Sequence, residues 1–113
     1  MSKRGQKELL LDILEAIDRI FEYSANMSLE EFLKDGKTQD AVVRNFEIIG
    51  EATKNISEEI KSQNQEIEWK KLAGLRDKII HFYFGVNWDL VWDIVKSKLP
   101  ELKKQISAIL ENS

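Results

Sequence analysis

The stretch WKKLAGLRDKIIHFYFG, residues 69–85, decides how the chain folds and holds its only histidine. At about 100° per residue, Leu72, Leu75, Ile79, Phe82 and the following Val86 gather within an arc of about 60°. The spacing predicts one helix from Trp69 to Phe84, closed by Gly85 as its C-cap, with that apolar seam facing a core. Arg76 and Tyr83 are seven residues apart. They fall near one line beside the seam, roughly 10 Å apart along the axis. Asp77 and His81 form an i, i+4 pair on another side, more than about 100° from the seam centre, so His81 is expected off the core. On one straight helix Arg76 and His81 diverge by about 140°. A two-fold dimer would bring two such sets around a single cleft.

Outward from this stretch the pattern stays helical. Leu10, Ile13, Leu14, Ile17, Ile20 and Phe21 recur at helical spacing between Lys7 and Asn26. SLEE at 28–31 has capping-box form and opens a short helix that should stop near Asp35-Gly36. Thr38 is the expected cap of a second long helix, with Val42, Phe46, Ile49, Ala52 and Ile56 as its buried stripe. Gly50 interrupts that stripe and costs roughly 1 kcal/mol relative to alanine, so a close approach of another helix is expected there. Residues 57–68 read as the end of this helix plus a loop. Asn87 can cap WDLVWDIVKSK, with Trp88, Val91, Trp92 and Val95 inward. Pro100 suits the first turn of a last helix carrying Leu102, Ile106, Ile109 and Leu110. The expected fold is all-α, a compact up-and-down bundle of four to six helices in one domain spanning 1–113.

Composition narrows the chemistry. With 113 residues, 42% hydrophobic and 33% charged, the chain has the balance of a soluble helical protein with one modest core. It contains no cysteine, which excludes disulfides and thiolate catalysis, and one histidine, which excludes sites needing two imidazoles from one chain. No cofactor and no metal site is expected. A net charge of −3 gives no global basic field, so any nucleic acid must be held by local cations. No apolar run approaches the roughly 20 residues of a membrane span, and no signal-peptide pattern opens the chain. A cytoplasmic location without membrane association is expected.

Arg76, four residues, His81, one residue and Tyr83 form an R-x4-H-x-Y pattern. In the order RNFEIIGEATKNIS, then IEWKKLAGLRDKIIHFYFGVNWDLVWDIVKSKLPELKKQI, the chain resembles the HepT-like branch of the HEPN superfamily over nearly its whole length. Asp77 stands where many members have Asn, and Asn87 where Asp is frequent. The resemblance implies a homodimeric helical bundle that is a metal-independent ribonuclease, the toxin of a type VII HEPN/MNT toxin–antitoxin pair. It implies a minimal nucleotidyltransferase (MNT) antitoxin as partner. It also implies Arg76 and His81 as the catalytic pair, Tyr83 as the residue that receives AMP, and Asp77 as a polar neighbour.

The residue types suit that chemistry. Cleaving RNA without a metal needs a base for the 2′-hydroxyl, an acid for the leaving 5′-oxygen and positive charge at the phosphoryl group. Arg44, Glu47 and Glu51 share a stripe on the second long helix, either as a solvated face or, for Glu47 and Glu51, as support for Arg76. Lys3, Arg4, Lys70, Lys71 and Lys78 either form a basic rim for RNA phosphates or serve solubility alone. The three tryptophans fit core or interface positions better than base stacking. Two other readings remain: a noncatalytic HEPN module that dimerises and recruits a nucleotidyltransferase, or a purely structural dimerisation domain.

Overall fold

A computed structural model describes residues 5–81 and 85–112. Two long amphipathic helices, α1 (Gln6–Ser24) and α3 (Gly36–Lys54), make the largest helix–helix contact of the bundle. Leu10, Ile13, Ile17 and Ile20 of α1 and Val42, Phe46 and Ile49 of α3 are buried in one core, as their helical spacing requires. Gln6 ties the start of α1 to the far end of α3. Its amide nitrogen donates to the Asn55 carbonyl at 3.2 Å, and its oxygen accepts from the Ser57 N–H at 2.7 Å. One buried polar atom stands out: the Asn45 side-chain nitrogen donates to the Ala41 carbonyl, while its oxygen has no partner among the described residues.

The connection between these helices is the short α2 (Leu29–Lys34), capped by Ser28. The Ser28 hydroxyl accepts from the Glu31 N–H, and the Glu31 carboxylate accepts from the Ser28 N–H, the reciprocal box that the sequence predicts. Phe32, fully buried, meets Trp88 edge-on at 5.9 Å and Trp92 at 5.0 Å between ring centres. Asp35 both ends α2 and begins α3. Its carboxylate accepts from the Thr38 N–H at 3.1 Å, so α3 starts three residues earlier than expected and Thr38 is the capped residue, not the cap.

Residues 57–68 hold a helix of their own, α4 (Glu58–Gln63), where the end of a helix and a loop were expected. Asn55 closes α3, and the Ser57 hydroxyl accepts from the Ile60 N–H, so a stop and a new start lie within three residues. At the C-terminal end, α7 (Trp88–Asp93) is capped by Asn87, whose side-chain oxygen accepts from the Leu90 N–H. The chain then continues through one π-helical turn, Ile94–Lys98, into α8 (Leu99–Glu111) without leaving helical geometry. The sequence predicts a separate helix starting at Pro100. Instead, the Leu99 N–H reaches back five residues to the Ile94 carbonyl. A widened turn gives room ahead of a proline that has no N–H and whose ring crowds the carbonyl four residues earlier.

The remaining helices are α5 (Trp69–Ala73) and α6 (Leu75–Ile79), both packed on α3. Gly50 is the point of closest approach. A methyl group built there would lie 3.4 Å from the Leu72 carbonyl oxygen and 3.5 Å from that of Ala73. That is ordinary contact for one carbon and leaves no room for more. The result is an all-α bundle, decorated by one two-residue antiparallel ladder between β1 (Ile80–His81) and β2 (Gly85–Val86).

The tight approach at Gly50 sets the sign of two substitutions. Gly50→Ala should hold or raise stability, by up to about 1 kcal/mol from helix propensity, whereas Gly50→Leu should lose about 1–3 kcal/mol by prying α5 away. Urea unfolding of the two variants checks both signs. Hydrogen bonds from Thr38 hold the Asp35 carboxyl below its usual range. Its stabilisation is therefore full above the unfolded pKa, about 4, and is lost as pH falls through the lower folded value. In thermal melts, Asp35→Ala should melt below the wild type at neutral pH, and the gap should close in acid.

Candidate active site

The segment that carries the motif departs from the single helix its spacing predicts. At Gly74 the backbone takes φ −95°, ψ 14°, and its N–H donates to the Lys70 carbonyl at 3.2 Å, which separates α5 from α6. Leu75 and Ile79 are buried and Leu72 is partly buried, so the apolar periodicity holds across the break. It fails after Ile79. The Asn87 N–H donates to the Ile79 carbonyl at 2.7 Å, and Ile80–His81 run extended against Gly85–Val86, with Ile80 opposite Val86 and His81 opposite Gly85.

The physical reason lies in residue type. Ile79 to Phe84 is a run of β-branched and aromatic residues around one histidine, which favours extended backbone as much as helix. Gly85 then adopts φ +78°, the left-handed region, which lets the chain return at once. Gly85 is thus the left-handed first residue of β2, opposite His81, and not the C-cap of a helix. The i, i+4 pairing of Asp77 with His81, and the 140° angle between Arg76 and His81, require a continuous helix and do not apply. The His81 backbone lies beyond the end of α6. Phe82, Tyr83 and Phe84 lie outside the described residues, as do Lys3 and Arg4.

Arg76 is the described centre of the motif. It projects from α6 toward α3, where its Nε lies 3.4 Å from a carboxylate oxygen of Glu47. The arginine side chain is 59% exposed and the glutamate 39%, so the pair is open to solvent. The guanidinium meets Glu47 through Nε. Among the described residues the two terminal nitrogens are uncommitted, which leaves the fork that binds a phosphate in bidentate fashion. Of the α3 stripe, Glu47 is the residue that meets Arg76; Arg44 and Glu51 are exposed on the same helix. Asp77, next to Arg76 on α6, is also exposed. Among the described residues no group of three or more histidine or acidic side chains is placed to hold a metal ion. No helix of the described residues is long and apolar enough to cross a membrane.

The described residues form an all-α bundle with Arg76 exposed on α6, and comparison with known proteins places the chain in a family. The family model "Ribonuclease HepT-like" matches residues 13–109. A protein of Thermococcus cleftensis named "Probable ribonuclease HepT" is 50% identical over 101 residues, covering 89% of this chain and 92% of that protein. A protein of Methanocaldococcus jannaschii, by name an inferred RNase, is 45% identical over 112 residues, covering 99% of this chain and 93% of its own. No solved structure matches the chain. The chain belongs to the HepT-like ribonuclease family.

An exposed ion pair of this geometry contributes little to stability. Glu47→Gln should therefore change unfolding free energy by less than about 1 kcal/mol, as urea titration would show.

Proposed function

We propose that this protein is a metal-independent endoribonuclease and the toxin of a type VII HEPN/MNT toxin–antitoxin pair. One observation carries the reading: an exposed arginine, steadied at Nε by Glu47, stands five residues before the only histidine of a chain in the HepT-like family. Arg76 binds the nonbridging oxygens of the scissile phosphate and stabilises the charge of the pentavalent centre. His81 transfers the proton, taking it from the attacking 2′-hydroxyl or giving it to the leaving 5′-oxygen. One histidine per chain supplies one of these roles. The second comes from the partner copy in a homodimer cleft, or from another group. Glu47 positions the guanidinium, and Asp77 and Glu51 are supporting polar residues.

Regulation follows from Tyr83, two residues beyond the histidine. A nucleotidyltransferase antitoxin binds the toxin and transfers AMP from ATP to the tyrosine hydroxyl, the oxygen displacing pyrophosphate from the α-phosphorus and losing its proton. The added phosphodiester and nucleoside bring bulk and negative charge to a cleft built for RNA phosphate. The enzyme works in the cytoplasm, on RNA, without a cofactor.

Purified protein incubated with RNA, with and without EDTA, tests this reading. Cleavage should persist in EDTA, and His81→Ala should lower it by about 10²–10⁴-fold. Arg76→Ala should lose activity comparably while both variants keep their helical spectrum and oligomeric state. Wild-type cleavage by either variant overturns the assignment. Absence of cleavage by the wild type, with nucleotidyltransferase binding intact, would favour the noncatalytic module instead.

A further inference from the structure

On the flank of α6 away from Arg76 lies a cleft of about 220 Å³, between α5–α6 on one side and the π turn and start of α8 on the other. Leu75 and Ile79 face the core, so Arg76 and Lys78 leave α6 on opposite sides, with Arg76 toward α3 and Lys78 into this cleft. Leu72, Leu75, Ile94 and Leu102 form an apolar floor. Lys71, Lys78 and Lys98 stand on its rim, together with Glu66, Glu68, Glu101 and Gln105.

The lysines are not equivalent. Lys71 is committed to Glu68, with Nζ 2.6 Å from a carboxylate oxygen. The Glu68 carboxyl is held below its usual range first by that bond and the Lys71 charge, and also by the charges of Lys98 and Lys78. Lys71, Lys78 and Lys98 thus line one cleft with Glu68, and Lys71 is bound to it directly. Lys78 and Lys98 make no ion pair among the described residues and are the cations left for a ligand. A site for a bare anion would not place three carboxylates around it. An apolar floor with both cations and acceptors on its rim suits a nucleotide, which brings a flat base, donor groups on the base edge, and a phosphate.

We propose that this cleft is a nucleotide subsite, in which a base of single-stranded RNA flanking the cleaved bond lies on the apolar floor while Lys78 and Lys98 hold its phosphate. The inference rests on the ribonuclease reading above and extends it. The strand crosses α6 from Arg76 to Lys78, a span of about 10–12 Å, the width of one helix with its side chains. Glu101 and Gln105 face the base edge, where a carboxylate accepts from amino groups and an amide both donates and accepts. With a net charge of −3 the chain has no general attraction for RNA, so binding depends on such local contacts.

The test measures anisotropy of fluorescein-labelled single-stranded RNA with the full-length protein carrying His81→Ala, across a salt series, alongside steady-state cleavage by the protein with His81 intact. Lys78→Glu/Lys98→Glu should weaken binding and raise KM by about tenfold or more, with kcat changed by less than about threefold. The slope of log affinity against log salt should fall by about 0.7 for each phosphate that the lysines no longer neutralise. Lys78→Gln/Lys98→Gln should act in the same direction, more weakly, and thermal melts establish that each variant is folded. Equal RNA affinity in folded lysine variants overturns the proposal, as does absence of RNA binding altogether. Loss of a co-expressed nucleotidyltransferase with RNA binding unchanged also overturns it, assigning the cleft to an acidic protein surface. If the protein binds RNA through these lysines but cleaves none, the ribonuclease reading fails, and the cleft is an RNA-binding site without a cleaved bond beside it.

Discussion

Everything about the motif depends on how closely α3 can approach α5. At Gly50 the two meet with room for a single carbon between a helix axis and two backbone carbonyls. One turn earlier on α3 stands Glu47, and three residues beyond Ala73 stands Arg76, so the pairing runs antiparallel and the next contact along it is the ion pair. A side chain larger than a methyl at position 50 would push α5 and α6 outward and separate that pair. The glycine has no chemistry of its own, yet it sets the height at which the guanidinium sits above α3.

The ion pair itself is too exposed to hold the fold together. Its effect is geometric: a carboxylate at Nε restricts a side chain with four rotatable bonds. The opposite flank of α6 has a different character, with an apolar floor and competing charges around Glu68. A helix of five residues thus separates Arg76, beside α3, from Lys78, on the rim of the cleft.

The long helices are legible because burial imposes a 3.6-residue period on them, and Ser28 and Asn87 are legible as caps because their side chains act within three residues. Gly50 also announces itself as a close approach. Asp35 and Thr38 are both good cap residues in adjacent turns, and only the backbone angles choose Asp35 over the expected threonine. The run from Ile79 to Phe84 satisfies a helical wheel and a strand propensity together. Two downstream features settle the outcome, the left-handed Gly85 and the Asn87 N–H that reaches Ile79. Lys98 gives no signal at all: it lines the cleft from the π turn, opposite residues of α5 and α6 distant in sequence, which no local pattern encodes. Arg76 and its nearness in sequence to His81 are visible in the chain, whereas the carboxylate that meets it is one of two equal candidates.

Gly85 has a stereochemical consequence. Its φ is +78°, and a β-carbon built there meets nothing within 4 Å among the described residues, so handedness is what restricts the position. An L-residue would strain the return strand opposite His81, whereas a D-alanine introduced by chemical ligation would sit there at ease and would narrow the freedom of the unfolded chain. Loss of function on substituting Gly85 would therefore report chirality, not catalysis. The histidine's neighbourhood is guarded by a residue whose only qualification is having no hand.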